Sequence, residues 1–457
     1  MLDTVDLLTP QRLSLYGKKW KYRGEGNANL VLALPQERKI VRLRKYESTG
    51  VRGTEDEERE RVVRETLFCR GMMVPLLGAC YIQPPTAAYL ELGDVRWLDQ
   101  MLRPQRPVSR HHKGLQFCHA TVYPDYALLP QYLHIATTPT FCVEIKPKQG
   151  WIPLPDRRLP KCTFCLSQYL KLQRNSIHSI SQYCPLDLFS GNVIRMKRAL
   201  HSLMASPQNN FKIFEDGVLV YSDDVGEDGE LYDILQRWLG SPNEITSSHT
   251  KLVDKFCDLV HTALTRPLCK TVPIQECSAV ADACTPALVE RVPGDLTAAV
   301  NKVLPEPPCD WTAEHLPQGC ILDRILRIQK LEQFGADMIY QLYCSSQRYC
   351  QDYSYVPAML QAGQNELSPV HRYLLATTAK DCSIMIAFQR LDIPPPVDVP
   401  DSHVIHDLDG QCHVFNIGVS DLDPKPISCI EKHCKRDCDI LSACLEVFET
   451  RNSQMQI

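Results

Sequence analysis

Asp381 lies between Thr378-Ala-Lys and the apolar stretch Cys382-Ser-Ile-Met-Ile, while Asp421 and Asp423 follow the apolar stretch Val414-Phe-Asn-Ile-Gly-Val-Ser. Carboxylates at the ends of two neighbouring strands suit phosphoryl transfer: one orients and deprotonates a hydroxyl, and another holds Mg²⁺ on phosphates. Each Asp taken singly also suits a turn or a helix cap. Phosphates need a cradle, and Gly24-Glu-Gly-Asn-Ala-Asn-Leu-Val-Leu offers one. Small residues between two strands let backbone N–H groups approach an anion closely. No Gly-Lys-Ser/Thr follows, so this is not a Walker loop. The next strand carries Arg42, whose guanidinium can clamp phosphate.

A second basic group lies in Glu144-Ile-Lys-Pro-Lys. Strand alternation predicts Glu144, Lys146 and Lys148 on one face, with Val143 and Ile145 turned to the core. Two lysines on one face repel unless an anion sits between them; a solvated strand end is the plainer alternative. Further on come the helical Gln168-Tyr-Leu-Lys171, then Tyr183-Cys-Pro-Leu-Asp-Leu-Phe-Ser-Gly191, then the polar turn Pro207-Gln-Asn-Asn-Phe-Lys212. The adjacent Asn209 and Asn210 suit hydrogen bonds to phosphate or hydroxyl, and equally suit a turn.

Cys162-Thr-Phe-Cys165 has the spacing with which two thiolates grip one tetrahedral ion. Cys184 follows within reach, and Cys142 or His178 is the expected fourth ligand. Such a zinc site would be structural, with no catalytic water, and would fix the helix carrying Lys171. No βαβ pattern surrounds the pair, which disfavours a redox motif. Buried free thiols near a helix start are the alternative.

These residues need a scaffold. A chain of 457 residues predicts two or three lobes. A charged fraction of 23%, a hydrophobic fraction of 44% and a net charge of -4 are globular values that exclude a disordered chain. They also give no support for a general nucleic-acid or membrane-surface binder, so a polyanion site must be a local cluster of Lys and Arg. The first residues, Met-Leu-Asp-Thr-Val-Asp, are acidic where a signal peptide is basic, and no apolar run reaches about 18 residues. The expectation is a soluble monomer of the cytoplasm or nucleus, in which most of the 21 cysteines are free thiols.

The pattern predicts a β-hairpin over 18–46, a helix over 55–70 with a solvated mixed-charge face, short strands and turns over 73–92, and a basic loop over 104–113. The chain is expected to cross between lobes near Tyr126, and a strand follows at 141–145. Helices are expected at 163–174, 185–204, 248–265, 321–345 and 369–378, and strands at 383–388 and 414–420. Residues 267–319, rich in Pro and Cys, read as a long insertion or loop.

Taken together and in order, Gly-Glu-Gly-x-Ala-Asn-Leu-Val, Cys-Val-Glu-Ile-Lys-Pro-Lys, Pro-Leu-Asp-Leu-Phe-Ser-Gly, Pro-Gln-Asn-Asn-Phe-Lys and Ala-Lys-Asp-Cys-Ser-Ile-Met-Ile resemble the inositol pentakisphosphate 2-kinase family, over residues 20 to 426. The resemblance implies an α/β (α+β) two-lobed inositol phosphate kinase fold related to protein kinases, with a small N-lobe (1–130) and a larger C-lobe (131–457). It implies transfer of the ATP γ-phosphate to the 2-hydroxyl of inositol 1,3,4,5,6-pentakisphosphate, with Mg²⁺. By position, Gly26, Asn27, Ala28, Asn29, Arg42, Glu144, Lys146 and Lys212 are expected to face ATP. Arg110, Lys148, Lys171, Asn209, Asn210 and Lys425 are expected to hold inositol phosphates, Asp381 to be the base, and Asp421 and Asp423 to hold Mg²⁺. Two expected inositol contacts, a basic residue and a tyrosine, are Cys429 and His433 here, and Tyr340 replaces a histidine that ligates zinc in plant members. The charge agrees: five phosphates carry about -8 to -10 in all, which only a concentrated set of cations can hold. A protein-kinase reading lacks His-Arg-Asp and Asp-Phe-Gly. The alternative from another class is an inactive inositol-phosphate-binding protein, against which the intact Asp381 and Asp421 stand.

Overall fold

The computed structural model describes residues 9–48, 53–223, 225, 228–240, 248–268, 294–304, 308–346, 352–362 and 366–455. Its strands, of which Thr140–Ile145, Ser383–Arg390 and Cys412–Ser420 are rich in Val, Ile and Phe, segregate along the chain into two six-stranded sheets. The first contains β1 (Gln11–Arg12), β2 (Lys21–Glu25), β3 (Asn29–Leu34), β4 (Lys39–Glu47), β5 (Thr86–Tyr89) and β6 (Lys113–Pro124), in the order β1-β5-β6-β4-β3-β2. The second contains β7 (Thr140–Ile145), β8 (Phe211–Glu215), β9 (Val218–Tyr221), β10 (Ser383–Arg390), β11 (Val404–His406) and β12 (Cys412–Ser420), in the order β11-β12-β10-β7-β8-β9. The chain leaves the first sheet after Pro124 and enters the second at Thr140.

The helices are α1 (Glu55–Phe68), α2 (Val74–Leu77), α3 (Leu92–Leu102), α4 (Thr163–Gln173), α5 (Pro185–Leu188), α6 (Val193–Ala205) and α7 (Asp228–Leu239). They continue with α8 (His249–Thr265), α9 (Gly294–Val303), α10 (Ile321–Gln329), α11 (Ala336–Ser345), α12 (Tyr355–Ala362), α13 (Pro369–Lys380) and α14 (Cys429–Met455). The main core lies against the second sheet: Val143 and Ile145 of β7 join Ile384, Ile386 and Phe388 of β10 there, with Trp238 stacked on Phe141. Alternation along β7 is therefore as expected for Val143 and Ile145, while Cys142 enters a smaller cluster on the other face. No helix among the described residues is long and apolar enough to cross a membrane.

Several elements differ from expectation for definable reasons. The hairpin over 18–46, whose turn is Pro35-Gln-Glu37 between β3 and β4, carries a third strand, β2, because the turn over 26–28 folds Lys21–Glu25 back onto β3. Residues 73–77, expected as strand or turn, instead end a π-helical turn (Cys69–Met73) and form α2, because Met72, Met73, Leu76 and Leu77 point together into the core. The helix expected over 185–204 is two helices broken at Gly191, whose φ of +75° suits glycine and where a Cβ would lie 2.8 Å from the Glu314 carbonyl oxygen. The helix over 321–345 is broken in the same way at Gly335.

The charged face of α1 is not wholly solvated. Glu58, Arg61 and Glu65 are buried, and Arg61 pairs with both carboxylates at 2.9 Å. Thr54 and Glu57 form a capping box that starts this helix. The insertion over 267–319 is only partly tested, because 269–293 and 305–307 lie outside the described residues. Its later part is ordered: α9 packs on α14, and Cys309 N–H donates to the Pro160 carbonyl at 2.7 Å.

One buried ion cluster ties α8 to the β11–β12 turn. Lys255, 3% exposed, pairs with Asp407 at 3.0 Å and Asp409 at 3.1 Å. Burial pushes the Asp407 carboxyl up, but His413, Lys255 and the Gln411 N–H outweigh it and hold it well below the usual range. A depressed folded pKa gives stability that is present above the unfolded value, about 3.9, and is lost as pH falls through the folded value. Asp407→Asn should therefore cost about 2–4 kcal/mol in urea unfolding at pH 7, with a gap to wild type that begins to narrow below about pH 4 and closes only as pH reaches the depressed folded value. A gap independent of pH would show that the ion pair is not its source.

Candidate active site

The β2–β3 turn is set by hydrogen bonds of its own. Gly26 N–H donates to the Asn29 carbonyl at 2.9 Å, and Lys45 N–H donates to the Ala28 carbonyl at 2.8 Å. Beneath it Glu25 is bound by Lys45 and by Arg106, the latter at 2.8 Å. Lys113 reaches Asn27 Oδ1 at 3.1 Å. Gly26 and Asn27 thus form the exposed tip of a hydrogen-bonded turn, with Ala28 half-buried and the half-buried Asn29 opening β3.

Arg42 of β4 is buried under that turn's sheet. It pairs with Glu65 of α1 at 3.3 Å and with Asp423 beyond β12, and lies 5.0 Å from the Tyr123 ring centroid. This guanidinium joins the two sheets. Burial raises the pKa of Asp423 despite Arg42.

The second sheet supplies the remaining charges from the ends of adjacent strands. Ser383, at the start of β10, places its Oγ 2.9 Å from a Glu144 oxygen and 3.1 Å from an Asp421 oxygen, and its one hydroxyl proton is shared between them. Lys146 pairs with Asp421 at 3.0 Å, and Lys212 with Glu144 at 3.6 Å. Asp381 caps the C-terminus of α13 and pairs with Lys425 at 2.6 Å and Lys148 at 3.6 Å. Although its side chain is about half exposed, partial shielding from water raises the Asp381 carboxyl, but Lys425, Lys148 and Lys146 outweigh it and hold it below the usual range. Lys146 is raised: burial lowers it, but Asp421 and Glu144 prevail. Lys148 is lowered, first by burial and then by Lys146, in spite of Asp381.

Lys146 and Lys148 do not share a strand face as alternation predicts. β7 ends at Ile145, Pro147 follows, and Lys148 takes a left-handed φ of +60°. The anions between the lysines are the carboxylates Asp421 and Asp381. Gln329 of α10, fully buried, fastens this loop: its amide donates to the carbonyls of Lys148 at 2.9 Å and Ala379 at 3.3 Å, and accepts from Gly150 N–H at 2.8 Å.

Lys171 projects from the last turn of α4 to Gln208 Oε1 at 3.2 Å. Gln208 and Asn209 both have positive φ, the turn that the residue types suggested. Asn209 is exposed, whereas Asn210 is buried and lends its carbonyl to Lys146 N–H at 2.9 Å. Arg110 lies beside the β2–β3 hairpin, its carbonyl accepting from Arg106 at 3.0 Å; no contact among the described residues joins it to Lys148 or Lys171. Cys429 is buried, and His433 Nδ1 lies 2.7 Å from the Tyr373 hydroxyl.

The cysteine expectation needs correction at its fourth member. Cys162, Cys165, Cys184 and Cys309 bring their sulfurs within 4.8 Å of one another. Cys142 lies inside β7, with its sulfur toward the Tyr126 carbonyl, and His178 is exposed beyond α4. Cys309 takes the place because its segment is pinned to Pro160. The sulfur separations include 3.4 Å for Cys162–Cys165, 3.8 Å for Cys184–Cys309 and 3.9 Å for Cys162–Cys184. A tetrahedron with metal–sulfur bonds of about 2.3 Å has edges of about 3.8 Å, so the donor set fits zinc.

Sequence reasoning missed Glu65, Ser383, Gln329 and Cys309. Ser383 stands inside a motif already singled out, and Cys309 was one of many cysteines in the Pro-rich stretch. Glu65 and Gln329 carry no local signal.

The family profile for inositol-pentakisphosphate 2-kinase matches residues 22–439. The chain is 28% identical to inositol-pentakisphosphate 2-kinase of Danio rerio, over 93% of this chain and 92% of the relative. It is 26% identical to the Arabidopsis thaliana protein of that name, over 96% of each. A Drosophila melanogaster relative of the same name is 29% identical over 44% of this chain and 48% of its own length. With the profile spanning the glycine turn, the lysine box and both aspartate termini, the chain belongs to the inositol-pentakisphosphate 2-kinase family.

Proposed function

We propose that this protein transfers the ATP γ-phosphate to the 2-hydroxyl of inositol 1,3,4,5,6-pentakisphosphate, forming inositol hexakisphosphate. The carrying observation is the paired arrangement of Asp381 with Lys425 and Lys148, and of Asp421 with Lys146 and Ser383, at the ends of adjoining strands. The first sheet with α1 and α3 serves as the N-lobe, residues 1–130, of a two-lobed kinase fold, and residues 131–457 form the C-lobe.

Gly26, Asn27, Ala28 and Asn29 present their backbone to the ATP phosphates, and Arg42, Glu144, Lys146 and Lys212 line the nucleotide side. Asp421 and Asp423 offer hard oxygen ligands suited to Mg²⁺. Mg²⁺ held there would neutralise the phosphate charge during transfer. Lys148, Lys171, Asn209 and Lys425 hold inositol phosphates, and Arg110 and Asn210 act from the margins of that site. Asp381 orients the hydroxyl and accepts its proton. Lys425 and Lys148 keep Asp381 weakly basic while the site holds no anion. Phosphates that draw these lysines away raise its proton affinity as the hydroxyl arrives. The four cysteines would hold a structural zinc, which would fix the start of α4 and with it Lys171.

The test is incubation with ATP, Mg²⁺ and each inositol pentakisphosphate isomer, with products identified by phosphorus NMR. The expected product is inositol hexakisphosphate from the isomer with a free 2-hydroxyl. Absence of transfer to any isomer would overturn the reading.

A further inference from the structure

Lys45 occupies a position where β4 calls for an apolar residue. Val41, Leu43 and Lys45 alternate along the strand and are all buried, and the first two belong to the core of the first sheet. The side chain of Lys45 is 0% exposed, and that of its partner Glu25 is 1% exposed. A lysine sealed from water is rare, and its charge must be met by groups held around it. Glu25 meets it here, and Arg106 holds the same carboxylate at 2.8 Å and 3.0 Å through two guanidinium nitrogens. Arg106 also donates to the carbonyls of Arg110 at 3.0 Å and Lys113 at 2.7 Å, and the Tyr22 hydroxyl donates to Glu25 at 3.2 Å. A two-pronged guanidinium is itself a strong partner for a carboxylate, so Glu25 has its counter-charge without Lys45.

The second bond of the Lys45 ammonium gives the residue its use. Pairing of β3 with β4 ends at Asn29 and Arg44, so Lys45 is the first residue of β4 beside the β2–β3 turn. It holds that turn at two points: its backbone N–H donates to the Ala28 carbonyl at 2.8 Å, and its ammonium donates to the Gly26 carbonyl at 2.8 Å. In a trans peptide the C=O and N–H of one unit point in opposite directions. Drawing the Gly26 carbonyl inward onto Lys45 therefore turns the Asn27 N–H outward, at an exposed tip where it has no partner among the described residues. Glycine accepts both signs of φ, so without that bond the peptide joining Gly26 to Asn27 is free to turn over.

We propose that Lys45 is a positioning residue for nucleotide binding: it acts from beneath the turn, through the peptide joining Gly26 to Asn27, to aim the Asn27 N–H at a phosphate oxygen of ATP. The inference rests on the reading of the β2–β3 turn as the holder of the ATP phosphates. A backbone donor fixed before the ligand arrives needs no reordering when the ligand binds, and the gain appears as affinity for the phosphates alone.

The test compares Lys45→Met and Lys45→Gln with wild type. The readouts are the KM for ATP, the KM for inositol pentakisphosphate, the Ki of adenosine as a competitor of ATP, and the melting temperature. Methionine keeps most of the apolar stem and removes the donor, and Arg106 keeps Glu25 paired, so Lys45→Met should melt within about 3 °C of wild type. Its KM for ATP should rise about 10-fold, the effect of misplacing one donor to a charged group. The Ki of adenosine, which has no phosphates, and the KM for inositol pentakisphosphate should stay within about twofold of wild type. Lys45→Gln, whose amide can still donate toward the Gly26 carbonyl, should fall between wild type and Lys45→Met. An unchanged ATP KM in Lys45→Met, or an equal loss for ATP and adenosine, overturns the proposal. Failure of both variants to fold also overturns it, because Lys45 would then have a structural role alone. Wild-type protein that binds ATP no better than adenosine overturns the reading of the turn as the holder of phosphates, and this inference with it.

Discussion

Asp381→Asn should lower kcat for inositol pentakisphosphate by about 10²–10⁴-fold, the range associated with losing a positioned general base. The substitution keeps the size and planarity of the side chain and removes the proton acceptor. Asp381 is exposed at the end of α13 and bonds to two lysines that themselves remain accessible, so the fold should survive. The KM for ATP should change little, and that for the inositol should hold or fall, because Lys425 and Lys148 are released to the phosphates. Circular dichroism and a thermal melt confirm folding, and single-turnover kinetics isolate the chemical step. Near-normal turnover in folded Asp381→Asn protein would remove Asp381 from the mechanism.

Loss of the cysteine-bound ion should have the largest effect on stability. Purified protein should carry about one equivalent of zinc, and Cys309→Ser should lose it. Structural zinc contributes about 10–16 kcal/mol in small domains that depend on it. Here Ile152, Leu186, Phe164 and Trp311 pack around the cluster and remain after the ion leaves, so a loss on the order of 5 kcal/mol is expected. Cys142→Ser, within β7, should leave the zinc content unchanged. Fully stable, metal-free wild-type protein would refute the site. Kinetics provide a second readout: loosening α4 should raise KM for the inositol, through Lys171, before it affects kcat.

The parts of this molecule that were legible in sequence are those whose signal is local. Periodicity marked α4 and α8, and unbroken apolar runs marked β10 and β12. Asp381 and Asp421 were legible because each ends such a run. The misses share a different cause: their meaning depends on residues far away in the chain. Glu65 is one carboxylate in a charged helix until Arg42 of β4 reaches it. Cys309 lies 147 residues from Cys162, and only the fold brings them together. The left-handed turn at Lys148 overrode strand alternation because Pro147 removes a backbone donor where β7 ends. The breaks at Gly191 and Gly335 were written in the sequence as single glycines, but a glycine inside an apolar pattern becomes a helix end only where a neighbour such as Glu314 or Pro155 presses on it.

Gln329 has a consequence for regiochemistry. Its single amide spans the carbonyl of Lys148 and the carbonyl of Ala379, two residues before Asp381. In the proposed assignment, the backbone points that carry the phosphate-gripping lysine and the proton-accepting carboxylate are therefore held at a fixed spacing by one buried amide, like the jaws of a caliper. On an inositol ring every position carries the same kinds of substituent, and isomers differ only in where the free hydroxyl stands relative to its phosphates. A fixed gap between grip and base converts that difference in position into a difference in rate, with no need to recognise any atom unique to one isomer.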